Sequence, residues 1–340
     1  MDPGPALTGP PSFPQARNQM QLHRVVGFSF FLLVGGCRLE RHPPLPAADL
    51  VFRGGAVYTL RPEDPWAEAV AVREGRIAFV GDDAGALRYV GGHTQVIDLG
   101  GRMLLPGFHD THAHPLSGGL ELGECNLYDA KTPTEVEGIV RAYAAAHPDL
   151  AWIRGNGWQL PVFPAANPQK SMLDRLVPDR PALFYAADGH SAWVNSRALA
   201  LAGVTAQTPD PPNGRIERNP GTREPTGTLR ESAVSLVAGK LPPYSDGERL
   251  GAARRALAEA NRLGITSITD ADAGPDYLRA YAALDQRNEL TARVTAALHP
   301  KEDASAEAEL VRLRALREQY RGGNRLKPFT NICTAPTNQS

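Results

Sequence analysis

The chain has 340 residues, 42% of them hydrophobic, and a formal net charge of −1. This length allows a barrel-sized core or two smaller domains, and the near-neutral charge without a basic block gives no support for nucleic-acid binding. The three cysteines, Cys37, Cys125 and Cys333, lie far apart, so their spacing indicates neither a disulfide framework nor a cysteine metal site.

The first 48 residues differ in composition from the rest and form a predicted leader and linker. Residues 1–19 are polar and proline-rich, which predicts disorder. The apolar run 25–36 is shorter than the roughly 20 residues that span a bilayer. With the Gly-Gly-Cys that ends it at Cys37, it resembles a signal segment and lipoprotein cleavage box. We therefore expect a lipid on Cys37 and a location in the cell envelope, with Met20 as a possible start. The alternative is an incidental cysteine in a cytoplasmic protein.

Residues 49–102 form a series of short β-rich runs, and we predict a small N-terminal β-domain there. The dipeptide Glu74-Gly75 separates the runs 69–73 and 76–80, which is typical of a β-hairpin.

From residue 103 onward, strand and helix patterns alternate. Thr132 with Glu135, and Ser245 with Glu248, have the spacing of helix capping boxes. Apolar runs at 152–154, 182–186, 265–269 and 293–298 have the length of buried strands. This alternation predicts parallel βαβ units.

The most informative segment is residues 106–115, Pro-Gly-Phe-His-Asp-Thr-His-Ala-His-Pro, which follows an apolar run. Side chains two residues apart on a strand point to the same face, so His112 and His114 project together. Two imidazoles so placed suit one divalent metal ion. His109 alternates to the other face and is a poor ligand candidate. A His-x-His pair alone is weak support, since imidazoles are also common in cores and at surfaces.

The flanking motifs make the pattern specific. They are Pro106-Gly-Phe-x-Asp-x-His-x-His114, Asp188-Gly-His-Ser-x-Trp-Val-Asn-Ser-x-Ala-Leu199, Pro225-Thr-Gly-Thr-Leu-x-Glu231 and Gly264-Ile-Thr-Ser267. In this order they resemble the amidohydrolase-3 group of the amidohydrolase superfamily, which includes N-substituted formamide deformylase-like enzymes. The resemblance implies an α/β fold, a (β/α)8 TIM-type barrel with an N-terminal β-sandwich-type domain. It also implies a metal-dependent hydrolase, most simply with Zn(II), acting on the C–N bond of a small amide or formamide. Hydrolysis of C–O or cyclic amide bonds stays open.

The resemblance also implies roles for residues outside the histidine pair. Glu231 is a candidate further metal ligand, or else a surface glutamate. His190 is a candidate substrate contact, or a structural histidine, and Trp158 is a candidate pocket wall, or a packing residue. Asp110 would accept a hydrogen bond from a ligand imidazole or fix a turn, and Asp188 would orient its loop.

The sequence departs from the family pattern near its C-terminus. We predict a partial barrel over 103–325, with about five or six of eight strands, followed by a non-family tail over 326–340. No histidine follows His299 and no aspartate follows Asp303, so the aspartate expected to act as general acid and base is missing. We therefore expect this polypeptide to be inactive or nearly so. The alternative function is a non-catalytic, lipid-anchored ligand-binding fragment. The sequence predicts neither the substrate nor the oligomeric state.

Overall fold

The computed structural model describes residues 45–298 and 304–330. Most of the predicted leader and linker over 1–48, including Cys37, and most of the predicted tail lie outside these residues. Across the described part of the chain, no helix is both long and apolar enough to cross a membrane. The chain divides into two compact units, one ending at Pro106 and the other beginning at Gly107.

The first unit contains two small sheets. Its elements are β1 (Leu50–Arg53), β2 (Ala56–Tyr58), β3 (Trp66–Ala67), β4 (Ala69–Arg73), β5 (Arg76–Gly81), α1 (Asp83–Leu87), β6 (Gln95–Asp98) and β7 (Met103–Leu104). Strands β1, β4, β5 and β6 form one sheet in the order β5-β4-β1-β6, and β2, β3 and β7 form the other in the order β3-β2-β7. Val57 of one sheet and Val70 of the other share a buried cluster with Leu99, so apolar side chains join the two sheets.

The hairpin predicted at Glu74-Gly75 is confirmed, since β4 and β5 pair antiparallel around it. Both turn residues have positive φ, 53° for Glu74 and 70° for Gly75. Such φ values are those of the type I′ turn, whose twist matches that of the strands it joins.

The second unit begins with a parallel sheet. Within the described residues this sheet has four strands in the order β8-β15-β16-β17. Helices α7, α8 and α9 each precede one of its later strands, as βαβ units require. The elements are β8 (Phe108–Ala113), α2 (Pro115–Glu121), α7 (Asp246–Arg262), β15 (Ile265–Asp270), α8 (Pro275–Gln286), β16 (Arg293–Leu298), α9 (Ala306–Gln319) and β17 (Leu326–Thr330).

The sequence between α2 and α7 forms a second sheet in the order β13-β14-β12-β11-β10-β9. Its strands β9, β10 and β11 are parallel, whereas β12, β13 and β14 pair antiparallel. The elements are β9 (Cys125–Asn126), α3 (Pro133–Ala146), β10 (Ile153–Trp158), α4 (Lys170–Leu176), β11 (Ala182–Ala186), β12 (Ser191–Val194), α5 (Ser196–Ala202), β13 (Gly214–Arg218), β14 (Pro225–Glu231) and α6 (Val234–Ala238). Two short 3-10 turns, Leu160–Val162 and Pro164–Ala166, lie between β10 and α4.

The strands within the predicted partial barrel over 103–325 are divided between two sheets. Strands β10 and β11 belong to the second sheet, whereas β8 pairs directly with β15. Residues 326–330, at the start of the predicted non-family tail, form β17 and extend the parallel sheet beside β16. Pro328 lies in this strand at the edge of the described sheet, where prolines are tolerated.

Ser245 and Thr132 both cap the helices that follow them, but only Ser245 forms a complete capping box. Ser245 and Glu248 form a complete capping box at the start of α7, and Gly264 beyond its end has a φ of 75°, as expected for a helix C-terminus. The hydroxyl of Thr132 accepts a hydrogen bond from the N–H of Glu135, but the Glu135 carboxylate binds the N–H of Lys131 instead of closing the box.

Candidate active site

The two histidines lie at the carboxyl end of β8. The His112 and His114 rings are exposed, and their centroids are 5.4 Å apart with perpendicular planes. Two imidazoles on one tetrahedral zinc ion, with Zn–N distances of about 2.0–2.1 Å, place their ring centres roughly 5 Å apart. The pair therefore fits two nitrogen ligands of one metal ion. Among the described residues, no three His, Cys, Asp or Glu side chains form a group that could hold a metal ion.

A buried carboxylate accompanies the pair. Asp270 ends β15 and lies in register with Ala113, between the two histidines. It is fully buried and accepts hydrogen bonds from the Tyr281 hydroxyl (2.8 Å) and the N–H of Asp272 (3.2 Å). Burial raises the pKa of Asp270, while these hydrogen bonds and the charge of His114 oppose that rise. Asp270 is not among the candidate residues predicted from the sequence, although it is an acidic residue at the carboxyl end of a predicted parallel strand.

Asp110 serves the backbone next to the pair. Its carboxylate accepts a hydrogen bond from the N–H of His112 (3.1 Å). This contact joins two residues of β8 and holds the local backbone that presents the His112 imidazole. His109 lies within 3.4 Å of the Thr269 hydroxyl on β15.

His190 and Glu231 lie together on the second sheet. The Nδ1 atom of His190 is 3.1 Å from a carboxylate oxygen of Glu231, and the N–H of Glu231 donates to the carbonyl of His190 (2.7 Å). Both side chains are largely exposed. The structure therefore pairs Glu231 with His190 and does not group it with His112 and His114 in a metal site of the described residues.

Asp188 orders the loop in front of His190. Its carboxylate accepts hydrogen bonds from the N–H of His190 (2.9 Å) and the hydroxyl of Ser191 (3.4 Å). These contacts are those of a residue that orients its loop.

Trp158 is buried in the core of the second unit, as in the packing alternative for this residue. The side chain is fully buried, donates its indole N–H to the carbonyl of Phe184 (3.0 Å) and packs against Phe163. It is a packing residue because its polar atom is satisfied inside the core. Cys125 belongs to the same core cluster, and burial raises the pKa of its thiol to about 12.

Several residues of the motifs at 188–199 and 225–231 have structural roles in the second sheet. Asn195 is buried, and its amide makes hydrogen bonds to backbone groups of Val177, Arg180, Ala182 and Ala198. Gly227 has a φ of 107°, and a Cβ there would lie 2.6 Å from the carbonyl oxygen of Val194. These residue types are therefore required by backbone packing.

A cavity of about 370 Å³ lies between the segment that follows His114 and the loop that precedes His190. It is bordered by Ser117, in the first turn of the helix that follows His114, and by Gly189, which precedes His190. Glu124 and Asn156 line it as well, and the Asn156 amide donates to the Glu124 carboxylate (2.6 Å). This volume is within the usual range of small-molecule pockets.

Comparisons with known proteins agree with this architecture. A crystal structure of an uncharacterized metal-dependent hydrolase from Pyrococcus furiosus aligns with a TM-score of 0.60 and 24% sequence identity, covering 82% of this chain and 54% of that one. The similarity shows that the two chains share a fold.

Residues 95–329 match the Amidohydrolase family, and the chain belongs to that family. The protein LONG AFTER FAR-RED 3 of Arabidopsis thaliana is 34% identical over 66% of this chain and 38% of its own length. The N-substituted formamide deformylase of Arthrobacter pascens is 32% identical over 56% of this chain and 35% of its own length. The chain thus matches little more than a third of each of these two relatives.

Proposed function

We propose that this chain provides the metal-binding histidines and part of the substrate pocket of a hydrolase that cleaves a C–N bond of an amide or formamide. The observation that carries this proposal is the pairing of His112 and His114 at the carboxyl end of β8. Chemistry in barrel enzymes takes place at this end of the strands. The similarity to a formamide deformylase supports the bond type.

In this proposal His112 and His114 hold one divalent ion, most simply zinc. A bound ion of this kind polarises a carbonyl and lowers the pKa of water to about 7. Asp110 fixes the backbone that carries His112, and Asp270 places a buried acidic side chain beside His114. The cavity next to Ser117 receives the substrate.

The test is an assay of the purified 340-residue chain, at high enzyme concentration and with added zinc, on N-formyl and N-acyl amides. We expect slow, zinc-dependent release of amine that is absent from the variant carrying both His112→Ala and His114→Ala. Efficient turnover would contradict the sequence-based prediction of near inactivity. Zinc binding without any amine release would favour the ligand-binding alternative.

A further inference from the structure

The cavity beside Ser117 lies at the carboxyl ends of three parallel strands of the second sheet. Asn156 and Tyr185 are register neighbours on β10 and β11, and Tyr128 follows the end of β9. All three border the cavity. In open α/β sheets, ligands bind in the crevice at this end of the strands.

Four tyrosines give the cavity an aromatic wall, and they come from separate parts of the second unit. Tyr128 lies in the loop after β9, Tyr185 lies on β11, Tyr244 precedes α7, and Tyr277 lies in the first turn of α8. Tyr277 is fixed by a hydrogen bond of 3.0 Å between its hydroxyl and that of Ser117. Tyrosine rings present a negative face that attracts organic cations.

The polar groups of the cavity complement a positive charge. Glu121 and Glu124 line it, whereas no lysine, arginine or histidine is among the described residues that do so. Glu124 accepts hydrogen bonds from the amide of Asn156 and the hydroxyl of Tyr244. Both partners are donors, so they hold the carboxylate in a fixed position.

Arg154 is the nearest competing cation, but it lines a different cavity. Its guanidinium lies 4.4 Å from the centre of the Tyr244 ring and donates to the carbonyl of Pro242. The cavity that Arg154 borders, of about 430 Å³, shares Glu124 and Tyr244 with the first one. The charge of Arg154 also favours the ionised form of Glu124, the carboxylate that the two cavities share.

We propose that the Ser117 cavity binds an organic cation, so that the preferred substrate is an amide carrying an ammonium or quaternary ammonium group. This specificity rests on the proposed function, because it concerns the substrate of the same site. Binding of the cation itself needs neither metal nor turnover, and this separates the two proposals experimentally.

The binding test uses choline and its neutral isostere 3,3-dimethylbutanol, titrated into the 340-residue chain by calorimetry. We expect choline to bind at least about tenfold more tightly than the neutral compound, because only choline offers a charge to the rings and the carboxylate. Equal affinity for the two probes, or no binding of choline, would overturn the inference.

Two variants locate the binding. Glu124→Gln should weaken choline binding at least about fivefold and leave the neutral probe unchanged, whereas Glu137→Gln on α3 is the matched control and should change neither. Tyr128→Leu removes the ring of a 42% exposed residue and should weaken choline binding about threefold even if Glu124→Gln fails to fold. Unchanged choline affinity in Tyr128→Leu and in folded Glu124→Gln would contradict binding in this cavity.

An activity test compares kcat/KM for two N-formyl amides, one carrying a trimethylammonium group and the other a tert-butyl group at the same position. A preference for the charged amide supports both proposals. Hydrolysis of both at equal rates, without choline binding, refutes the cation site and leaves the hydrolase. Choline binding without zinc binding or hydrolysis refutes the hydrolase and leaves the cation site.

Discussion

Asp270 lies directly opposite Ala113 in the pairing of β15 with β8, and the N–H of Ala271 donates to the carbonyl of Ala113 at 2.9 Å. This register places a buried acidic side chain at the level of the two histidines that flank Ala113. The parallel pairing of β8 and β15 thus brings together, at the candidate metal site, two segments more than 150 residues apart in sequence.

Replacing Glu124 should change how stability depends on pH. Burial raises the pKa of Glu124 above its ordinary value of 4.5, against the effects of Tyr244, Asn156 and Arg154. A raised folded-state pKa means that the stabilising contribution is present below pH 4.5 and is lost as the pH rises through the folded-state pKa. The unfolding free energy of the native chain minus that of Glu124→Gln should therefore fall between pH 4.5 and neutrality, measured by urea denaturation.

Glu248 provides a control of opposite sign. Burial opposes ionisation of Glu248, but hydrogen bonds from the hydroxyl and N–H of Ser245 outweigh it, and its pKa is lowered from 4.5. Its stabilising contribution is present above that value and is lost as the pH falls. The same difference for Glu248→Gln should rise with pH. If the differences for both variants rise, the Glu124 assignment is contradicted, and if both fall, the Glu248 assignment is contradicted.

Cys125 should be almost unreactive in the folded chain. Its thiol is buried and its pKa is raised to about 12, and the thiolate is the reactive form. We expect iodoacetamide at about pH 8 to label Cys125 at least a hundredfold more slowly in buffer than in urea, as measured by peptide mass spectrometry. Rapid labelling of the native chain would show that β9 is accessible.

Asn195→Ala should destabilise the protein more than the loss of an ordinary helix cap. Its amide makes hydrogen bonds to four backbone groups, and three of these bonds are buried, so we expect a loss of about 3 kcal/mol in unfolding free energy. Ser245→Ala, which removes a cap at the surface, should cost about 1 kcal/mol. Equal losses in urea denaturation would mean that Asn195 acts only as a cap.

Glu231→Gln should leave both stability and zinc affinity nearly unchanged. The carboxylate contacts the exposed His190 ring, and exposed pairs of this kind contribute less than about 1 kcal/mol. We expect zinc affinity to change less than about threefold. A tenfold loss would instead support the sequence-based assignment of Glu231 as a metal ligand.

Local sequence signals predicted local structure well. The Glu74-Gly75 hairpin and the Ser245–Glu248 capping box depend on neighbouring residues, and both form. The strand predicted from the apolar run before the histidines corresponds to β8, which contains His112 and ends one residue before His114.

Features that depend on contacts between segments far apart in sequence were not predicted. The run 182–186 has the pattern of a parallel strand and is one, but the pattern does not specify which sheet it joins. The buried position of Trp158 arises from packing against Phe163 and hydrogen bonding to Phe184. The tyrosines of the Ser117 cavity come from four chain segments, so no local motif marks them.

The most direct test of the metal site is the zinc content of the purified chain after dialysis against buffered zinc, measured by inductively coupled plasma mass spectrometry. His109→Ala, which removes a neighbouring imidazole from the same strand, is the matched control. We predict about one zinc ion per chain in the native protein and in His109→Ala, and at least about a tenfold weaker affinity in His112→Ala and His114→Ala. Zinc retained equally by all four proteins, or bound by none of them, would contradict the assignment of His112 and His114 as metal ligands.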